Sequence, residues 1–179
     1  PINSRFKGPE ATDILAASAA KWLFSIGEFL NTDYPSQIEH SQLPQLEGIV
    51  VLRGTSKALH STWTDWLAEG QGQLSASPQL VTERSALVSG DHPSDIIFTS
   101  GTTGKAKGVI TTHQQNLRTF TIWSDLVGLD QSDRYLIVNP FFHSFGFKAG
   151  ILACLLKGCT LIPQLVFDVD QVLERIAAD

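Results

Sequence analysis

Residues 99 to 108 read Thr-Ser-Gly-Thr-Thr-Gly-Lys-Ala-Lys-Gly, so hydroxyl groups, glycines and two lysines fall within ten consecutive positions. Ser and Thr hydroxyls donate hydrogen bonds, and glycine allows a backbone with positive φ whose N–H groups can turn around an anion. Lys105 and Lys107 add positive charge. The segment therefore predicts a loop that binds a polyphosphate.

The order of these residues matters more than their composition, because Gly, Ser and Thr are also typical of solvated turns. Seven positions follow a fixed order: Ser100, Gly101, Thr102, Thr103, Gly104, Lys107 and Gly108. At a frequency of roughly one in fifteen per position, a chance match is on the order of 10⁻⁸ per window. A Walker loop is excluded, because Thr99 stands where that loop needs glycine and Ala106 where it needs Ser or Thr.

A second stretch with chemical potential is Asn139 to Gly146, which reads Asn-Pro-Phe-Phe-His-Ser-Phe-Gly. Three aromatic residues surround His143 directly after a predicted strand, and ligands in open α/β sheets bind at the carboxyl ends of strands. A histidine among phenylalanines is more often a satisfied core residue. From the residues alone, both interpretations of His143 stay open.

Thr99 to Gly108 resembles the phosphate-binding signature of the adenylate-forming superfamily, Thr-Ser-Gly-(Ser/Thr)-Thr-Gly-x-Pro-Lys-Gly. This superfamily includes acyl-CoA synthetases, luciferases and peptide-synthetase adenylation domains. The match fails at Ala106, where the family usually has Pro, and this removes a preset φ rather than a ligand group. The resemblance implies that ATP phosphates are bound by Thr99, Ser100, Gly101, Thr102, Thr103, Gly104, Lys107 and Gly108.

Asn139 to Gly146 resembles the Pro-x-Phe-His-x-Phe-Gly segment of acyl-CoA synthetases, whose His and neighbouring aromatics wall the acyl pocket. The resemblance implies an acyl pocket that includes His143, Phe142 and Phe147. The run from Asn139 to Leu156, together with Leu165 to Asp170, is most similar to synthetases that activate propanoate side chains of steroid-ring breakdown products. Fatty acids stay candidates beside them.

The resemblance implies a two-step ligation with ATP, Mg²⁺ and coenzyme A. A carboxylate attacks the α-phosphorus of ATP, pyrophosphate leaves, and the CoA thiol opens the acyl-adenylate to a thioester. Two alternatives stay open: a non-catalytic nucleotide- or acyl-binding module of the same fold, which Ala106 favours, and a luciferase-like oxygenase.

The chain has 179 residues and is shorter than complete members of that family. It contains no Tyr-Gly-x-Thr-Glu segment for adenine and Mg²⁺, and we expect the ribose-binding Asp and the C-terminal small domain with its Lys to lie outside it. We therefore expect a piece of the large N-terminal adenylation domain, inactive alone and without a complete catalytic set. Its expected parts are residues 1–69, a connecting stretch at 70–94, and the phosphate-loop and acyl-pocket part at 95–179.

Charge and composition restrict the partners. A formal net charge of −5 gives no basic excess for a nucleic acid or an anionic membrane, and no apolar run reaches the ~18 residues that span a bilayer. We expect a cytoplasmic enzyme of lipid and fatty acid metabolism, in which uncovered sheet edges allow a homodimer. Cys154 and Cys159 have no His or Cys partners at metal spacing, so no metal site is expected from them.

Helical and strand patterns alternate along the chain, which predicts an α/β layer architecture with parallel strands. The resemblance implies a Rossmann-like layered sheet with helices on both faces. Strands are predicted at residues 21–26, 48–52, 96–98, 109–112, 134–138 and 160–163, and helices from Gly8, at 33–40, 61–69 and 147–156, and after Asp168. Residues 70–93 are predicted to connect elements, with one poor strand near 80–88.

Thr112 to Gln115 has the form of a capping box, which predicts a helix that begins there and ends near Gly128. Helical spacing predicts a buried stripe on it, formed by Leu117, Phe120, Trp123 and Leu126 or Val127.

Overall fold

The computed structural model describes residues 1–29, 31–57, 61–99 and 106–178. These residues form two compact units. The amino-terminal unit contains residues 2–29, 31–57, 61–89 and 106–108, and the carboxy-terminal unit contains residues 90–99 and 109–178.

The amino-terminal unit is built on a small parallel sheet. Its elements in chain order are α1 (Gly8–Ala17), β1 (Trp22–Ser25), β2 (Glu28–Phe29), β3 (Thr32–Asp33), 3₁₀ turns at Pro35–Gln37 and His40–Gln42, β4 (Gly48–Val51), β5 (Ser61–Thr62), α2 (Trp63–Ala76) and α3 (Leu80–Ala86). β4 lies between β1 and β5 and is parallel to both. Ile49 and Val50 on β4 are fully buried, as a continuous apolar run predicts. The predicted strands at 21–26 and 48–52 are confirmed.

The helix predicted at residues 33–40 is wrong, because this segment contains the 3₁₀ turn Pro35–Gln37 and ends where the next one, His40–Gln42, begins. The Asp33 carboxylate accepts hydrogen bonds from the Ser56 hydroxyl at 2.8 Å and from the Lys57 N–H at 2.9 Å. These bonds fix Asp33 to a distant segment, and Pro35 follows it fully buried. Side-chain bonds of this kind compete with a continuous helix.

The connecting stretch also differs from the prediction, since α2 continues to Ala76 and the poor strand expected near residues 80–88 is the helix α3. The Thr62 hydroxyl caps α2 by accepting the Asp65 N–H. Trp66 anchors α2, with ring centroids 4.5 Å from Trp22 and 5.5 Å from Phe24. Capping and aromatic packing outweigh the ~1 kcal/mol by which each glycine in a helix disfavours it relative to alanine.

The carboxy-terminal unit carries the aromatic segment, the strand before the candidate loop and most of the strand after it. Its elements are β6 (Pro93–Thr99), β7 (Lys107–Thr112, with residues 109–112 in this unit), α4 (His113–Leu126), β8 (Arg134–Ile137), a π-helix (Phe145–Leu152), α5 (Ala153–Lys157), β9 (Thr160–Pro163) and α6 (Val169–Ala178). β6 pairs with β7, and β8 is parallel to β9. The four strands predicted here are confirmed. The N–H of Gln171 donates to the Asp168 carboxylate at 2.9 Å, which confirms that Asp168 caps the last helix.

The start of α4 is fixed by three different acceptors. Thr112 and Gln115 form the predicted capping box, with the Gln115 N–H donating to the Thr112 hydroxyl at 3.3 Å. The N–H groups of the first two helical residues donate to the carbonyl oxygens of His92 and Gly90, at 3.2 and 2.8 Å. The chain before β6 is therefore held against the beginning of α4.

The buried face of α4 differs from the predicted apolar stripe. Leu117, Leu126 and Val127 are exposed, while Phe120 and Trp123 are half-buried. The buried positions are polar instead: Asn116 and Ser124. The Asn116 amide donates to Asp95 of β6, and this bond to another element fixes the rotation of the helix. The buried Ser124 hydroxyl is satisfied within the helix, because it donates to the Phe120 carbonyl oxygen.

The predicted buried helix at residues 147–156 begins at Phe145, and its first part is a π-helix. Two glycines let it lie close to β8 and to the segment that follows β8. A Cβ on Gly146 would lie 2.4 Å from the Pro140 carbonyl oxygen, and one on Gly150 would lie 2.8 Å from Ile137 Cδ1. Gly158 ends α5 in the left-handed conformation, with φ of 70°.

A buried ion pair joins this π-helix to the β6–β7 sheet. Lys148 is only 4 % exposed, and its Nζ lies 2.9 Å from Asp95 Oδ1 and 2.8 Å from Thr111 Oγ1. Asp95 Oδ2 accepts hydrogen bonds from the Thr111 hydroxyl at 3.0 Å and from the Asn116 amide at 2.6 Å. One carboxylate therefore connects β6, β7, α4 and the π-helix.

The same contacts determine the ionisation of Asp95. Burial by itself would raise the pKa of this carboxyl, but the hydrogen bonds from Lys148, Asn116 and Thr111 and the charge of Lys148 together lower the pKa below its usual value. Asp95 is therefore a carboxylate at neutral pH.

No helix within residues 1–29, 31–57, 61–99 and 106–178 has both the length and the apolar character to cross a membrane.

We expect Gly146→Ala to lower the free energy of unfolding by about 1–3 kcal/mol, because its methyl group would overlap a backbone carbonyl oxygen and the helix would have to shift. The measurement is chemical denaturation followed by tryptophan fluorescence. The matched control is Gly70→Ala in α2, where a Cβ would meet no atom within 4 Å and alanine should stabilise the helix by up to ~1 kcal/mol. Equal effects of the two substitutions would contradict the close approach at Gly146.

We expect Asp95 to make stability depend on acidic pH. Because its pKa is lower when folded, its contribution is complete above the unfolded-state value of about 3.9 and disappears as pH falls through the folded-state value. The stability advantage of wild type over Asp95→Asn at pH 7 should therefore shrink below about pH 4. Urea unfolding of wild type and Asp95→Asn from pH 7 to 3 measures this. A pH-independent advantage for Asp95 would contradict the lowered pKa.

Candidate functional site

The predicted phosphate loop lies between two paired strands. Thr99 is the last residue of β6 and Lys107 is the first residue of β7, and both are exposed, as is Gly108. Five further residues predicted to bind phosphate lie outside the described part of the chain: Ser100, Gly101, Thr102, Thr103 and Gly104. Ala106, the position that departs from the family signature, is described and exposed.

A side-chain hydrogen bond joins the two strands that flank the loop. Asp95 lies four residues before Thr99, and Thr111 lies four residues after Lys107. The Thr111 hydroxyl donates to the Asp95 carboxylate at 3.0 Å. The hairpin that carries the loop is thus closed by a side-chain bond as well as by strand pairing.

The aromatic segment forms a turn after β8 that leads into the π-helix. The His143 N–H donates to the Pro140 carbonyl oxygen at 3.1 Å, and the Phe147 N–H donates to the His143 carbonyl oxygen at 2.9 Å. The rings of Phe142 and His143 touch, with centroids 4.7 Å apart. These bonds fold the short segment that contains the three predicted acyl-pocket residues, His143, Phe142 and Phe147, into a turn.

Burial separates the two interpretations of His143. Its side chain is exposed, whereas Phe142 and Phe147 are half-buried. The interpretation of His143 as a core histidine is therefore wrong. Its role in an acyl pocket stays a prediction.

Trp123 of α4 packs beside this segment. Its ring lies 5.9 Å from that of Phe145 in an edge contact and 6.5 Å from that of Tyr135 in a stacked one. Aromatic pairs at these distances are favourable beyond their buried area. The aromatic segment is therefore supported by α4, the helix that follows the phosphate-loop hairpin.

Sequence reasoning missed the two buried polar residues that contact Asp95 of β6: Lys148 of the π-helix and Asn116 of α4. A signal for Lys148 was present, because it is the one charged residue in the apolar run from Phe145 to Leu156. A buried lysine needs a counter-charge. The run alone does not show that Asp95 supplies it.

Metal binding and thiol chemistry are two further candidate functions for the described residues. No cluster of three or more His, Cys, Asp or Glu side chains suited to a metal ion occurs among the residues that the structure describes. Cys154 is buried, and burial, with a further contribution from Cys159, raises the pKa of its thiol to about 12. The Cys154 thiol therefore stays protonated at neutral pH and is a poor nucleophile.

Two curated relatives match almost the whole chain. A (7a-methyl-1,5-dioxo-octahydro-1H-inden-4-yl)propanoyl:CoA ligase of Mycobacterium tuberculosis is 44% identical over 176 residues, which is 98% of this chain and 34% of that protein. A ligase of the same name from Rhodococcus jostii is 40% identical over 181 residues, covering 98% of this chain and 35% of that protein. The chain thus spans about a third of the length of these relatives.

Among solved structures, the chain is similar to an anthranilate CoA ligase, AuaEII, in complex with anthranoyl-AMP. The TM-score is 0.72 at 24% sequence identity, and the match covers 98% of this chain and 31% of that one. At this identity the likeness concerns the fold, and it confirms the α/β fold with parallel strands expected of an adenylate-forming enzyme.

The family described as AMP-binding enzyme matches residues 1–177. This match agrees with the resemblance that Thr99 to Gly108 carries and extends it to nearly every residue. The chain therefore belongs to the AMP-binding enzyme family.

Proposed function

We propose that this chain is part of an ATP-dependent acyl-CoA ligase that converts a carboxylate to an acyl-adenylate and then to a CoA thioester. The observation that carries the proposal is the 44% identity, over 98% of the chain, to a protein named as a CoA ligase. The sequence motif from Thr99 to Gly108 also supports it.

The first step brings two anions together, because a carboxylate must approach a polyphosphate. Catalysis then depends on positioning and on positive groups that offset the developing charge. In the proposal, residues 99–108 bind the β- and γ-phosphates through hydroxyl and N–H donors, with Lys107 as the main cation. Thr99 and Lys107 are exposed residues, and their hydroxyl and ammonium groups suit an anionic ligand.

Mg²⁺ is expected to arrive with ATP, where it would neutralise phosphate charge. Hard oxygen ligands suit this ion, and in the proposal the Ser and Thr hydroxyls of the loop lie near the phosphates it carries. Coenzyme A is the thiol substrate of the second step.

The acyl group is proposed to lie against the aromatic segment. Phe142 and Phe147 offer apolar surface, and exposed His143 offers a polar group beside it. Ligand pockets combine apolar walls with few polar groups in this way. The segment also follows the carboxyl end of β8, where ligands of open α/β sheets bind.

We further propose that the acid is a propanoate attached to a compact fused-ring system, rather than a long fatty acid. Support comes from both relatives named above, whose names specify a methyl-dioxo-octahydroindenyl propanoyl group. The candidate pocket residues lie in the matched region of both.

A binding module without chemistry is the rival proposal, and Ala106 in place of proline favours it. The rival predicts ATP binding without turnover, which the experiments below separate from ligation.

We expect Lys107→Ala in the full-length protein to lower kcat/KM for ATP-dependent thioester formation by about 10²–10³-fold, the usual effect of removing one group that stabilises transition-state charge. The measurement is ATP–pyrophosphate exchange together with thioester formation. Lys21→Ala is the matched control, because Lys21 is an exposed lysine paired with Glu47, and its activity should stay within about twofold of wild type. Full activity in Lys107→Ala would contradict the proposal that the loop binds the phosphates through Lys107.

We expect the full-length protein to prefer fused-ring propanoates over fatty acids by at least ~10-fold in kcat/KM, since loss of apolar contacts costs about 1–3 kcal/mol. A panel of bicyclic propanoates and of fatty acids with about eight to sixteen carbons, sizes that pockets for small molecules accept, gives the comparison. A preference for fatty acids would refute the substrate proposal and leave the ligase proposal intact. ATP binding without turnover of any acid would favour the binding module.

A further inference from the structure

Lys148 occupies an unusual place for a charged residue. It lies on the π-helix with Gly146, Ala149 and Gly150 as buried neighbours, and it is itself 4 % exposed. Its Nζ is 2.9 Å from Asp95 Oδ1 and 2.8 Å from Thr111 Oγ1. The Asp95 side chain is 8 % exposed, so both charges are removed from water.

A buried ion pair of this kind is weak evidence for added stability. Removing two charges from water costs several kcal/mol per ion, and apolar residues of similar volume often stabilise such a site equally well or better. What the pair does provide is geometry, because a buried carboxylate with three donors has few alternative arrangements. Those donors are Lys148, Thr111 and Asn116.

The network connects the two strands that flank the candidate loop to the π-helix that follows the aromatic segment. Asp95 and Thr111 each lie four residues from the ends of the candidate phosphate loop, at Thr99 and Lys107. On the other side, Lys148 directly follows Phe147 and lies five residues after His143, whose carbonyl oxygen accepts the Phe147 N–H. A displacement of the Lys148 ammonium would therefore shift both the phosphate-loop hairpin and the aromatic segment.

We propose that Lys148 is a positioning residue for adenylate formation, holding the aromatic acyl segment at a fixed distance from the phosphate-loop hairpin through its buried contacts with Asp95 and Thr111. This inference rests on the proposed ligase function. Lys148 touches neither substrate in the proposal, and it acts through the segments to which it is tied.

The proposal predicts unequal effects on the two half-reactions. Adenylate formation requires the carboxylate and the α-phosphorus to approach within about 3–3.5 Å, and a misplacement of about 1 Å can cost 10²-fold in rate. Thioester formation from an acyl-adenylate that is already made does not require the β- and γ-phosphates to be held. A merely structural role of Lys148 would affect both half-reactions alike.

The test is the double variant Lys148→Gln with Asp95→Asn in the full-length protein. It replaces the ion pair by neutral amides that can still hydrogen-bond to each other and to Thr111, while the new side chain at position 148 is one atom shorter. Neither charge is left buried alone, which avoids the large destabilisation that follows from removing one partner. We expect the thermal midpoint to fall by no more than about 4 °C.

In this variant we expect kcat for pyrophosphate exchange to fall by about 10²-fold, with KM for ATP within about threefold of wild type because the loop residues are intact. Thioester formation from synthetic acyl-adenylate and CoA should stay within about twofold. The matched control is Lys157→Gln with Asp125→Asn, the same chemistry at a pair that is more exposed. That control should leave both half-reactions unchanged.

Two results would overturn the inference: pyrophosphate exchange at the wild-type rate in the folded double variant, or an equal loss in both half-reactions. A wild-type protein without pyrophosphate exchange would instead refute the proposed ligase. In that case amide hydrogen exchange of residues 96–99 and 106–112 decides the matter without turnover. The role of Lys148 as a positioning residue is supported if the double variant exchanges faster than wild type at these residues but not at residues 134–137. Exchange at the wild-type rate at these residues refutes it.

Discussion

A lysine ammonium buried in apolar surroundings must have a carboxylate within reach, and this requirement organises the carboxy-terminal unit. Lys148 finds Asp95 on β6, and Thr111 and Asn116 complete the carboxylate's hydrogen bonds from β7 and α4. Burial without these partners would be strongly unfavourable. The π-helix, the hairpin and α4 must therefore be placed so that their four side chains meet, and the close approach allowed by Gly146 and Gly150 serves the same arrangement.

Elements with local causes were predictable from the sequence. The apolar run at β4, the capping box at Thr112 and the left-handed end of α5 at Gly158 each depend on residues within a few positions. The errors occur where distant residues decide. Asp33 bonds to Ser56 and Lys57 rather than starting a helix. The helix α2 continues to Ala76, and its Trp66 packs on Trp22 of β1, far away in the sequence.

The rotation of α4 shows why a periodic pattern can mislead. Leu117 and Leu126 have the spacing of a buried stripe, yet Asn116 is buried and the two leucines are exposed. Hydrophobic periodicity counts apolar residues, whereas the buried amide is chosen by a carboxylate that lies 21 residues earlier in the sequence. For the candidate site, residue order identified the loop and the aromatic segment. The ion pair between Asp95 of β6 and Lys148 of the π-helix could not be predicted from either segment alone.

The way α4 begins has a consequence for electrostatics. In loops that run directly into a helix, the first N–H groups and the positive end of the helix dipole face the bound anion. Here β7 separates the candidate loop from α4, and the first three N–H groups of α4 are taken by the carbonyl oxygens of His92 and Gly90 and by the Thr112 hydroxyl. The dipole of α4 is thus directed at the chain before β6. A phosphate bound by the loop, as proposed, would depend on the loop's own amides, hydroxyls and lysines for its positive field.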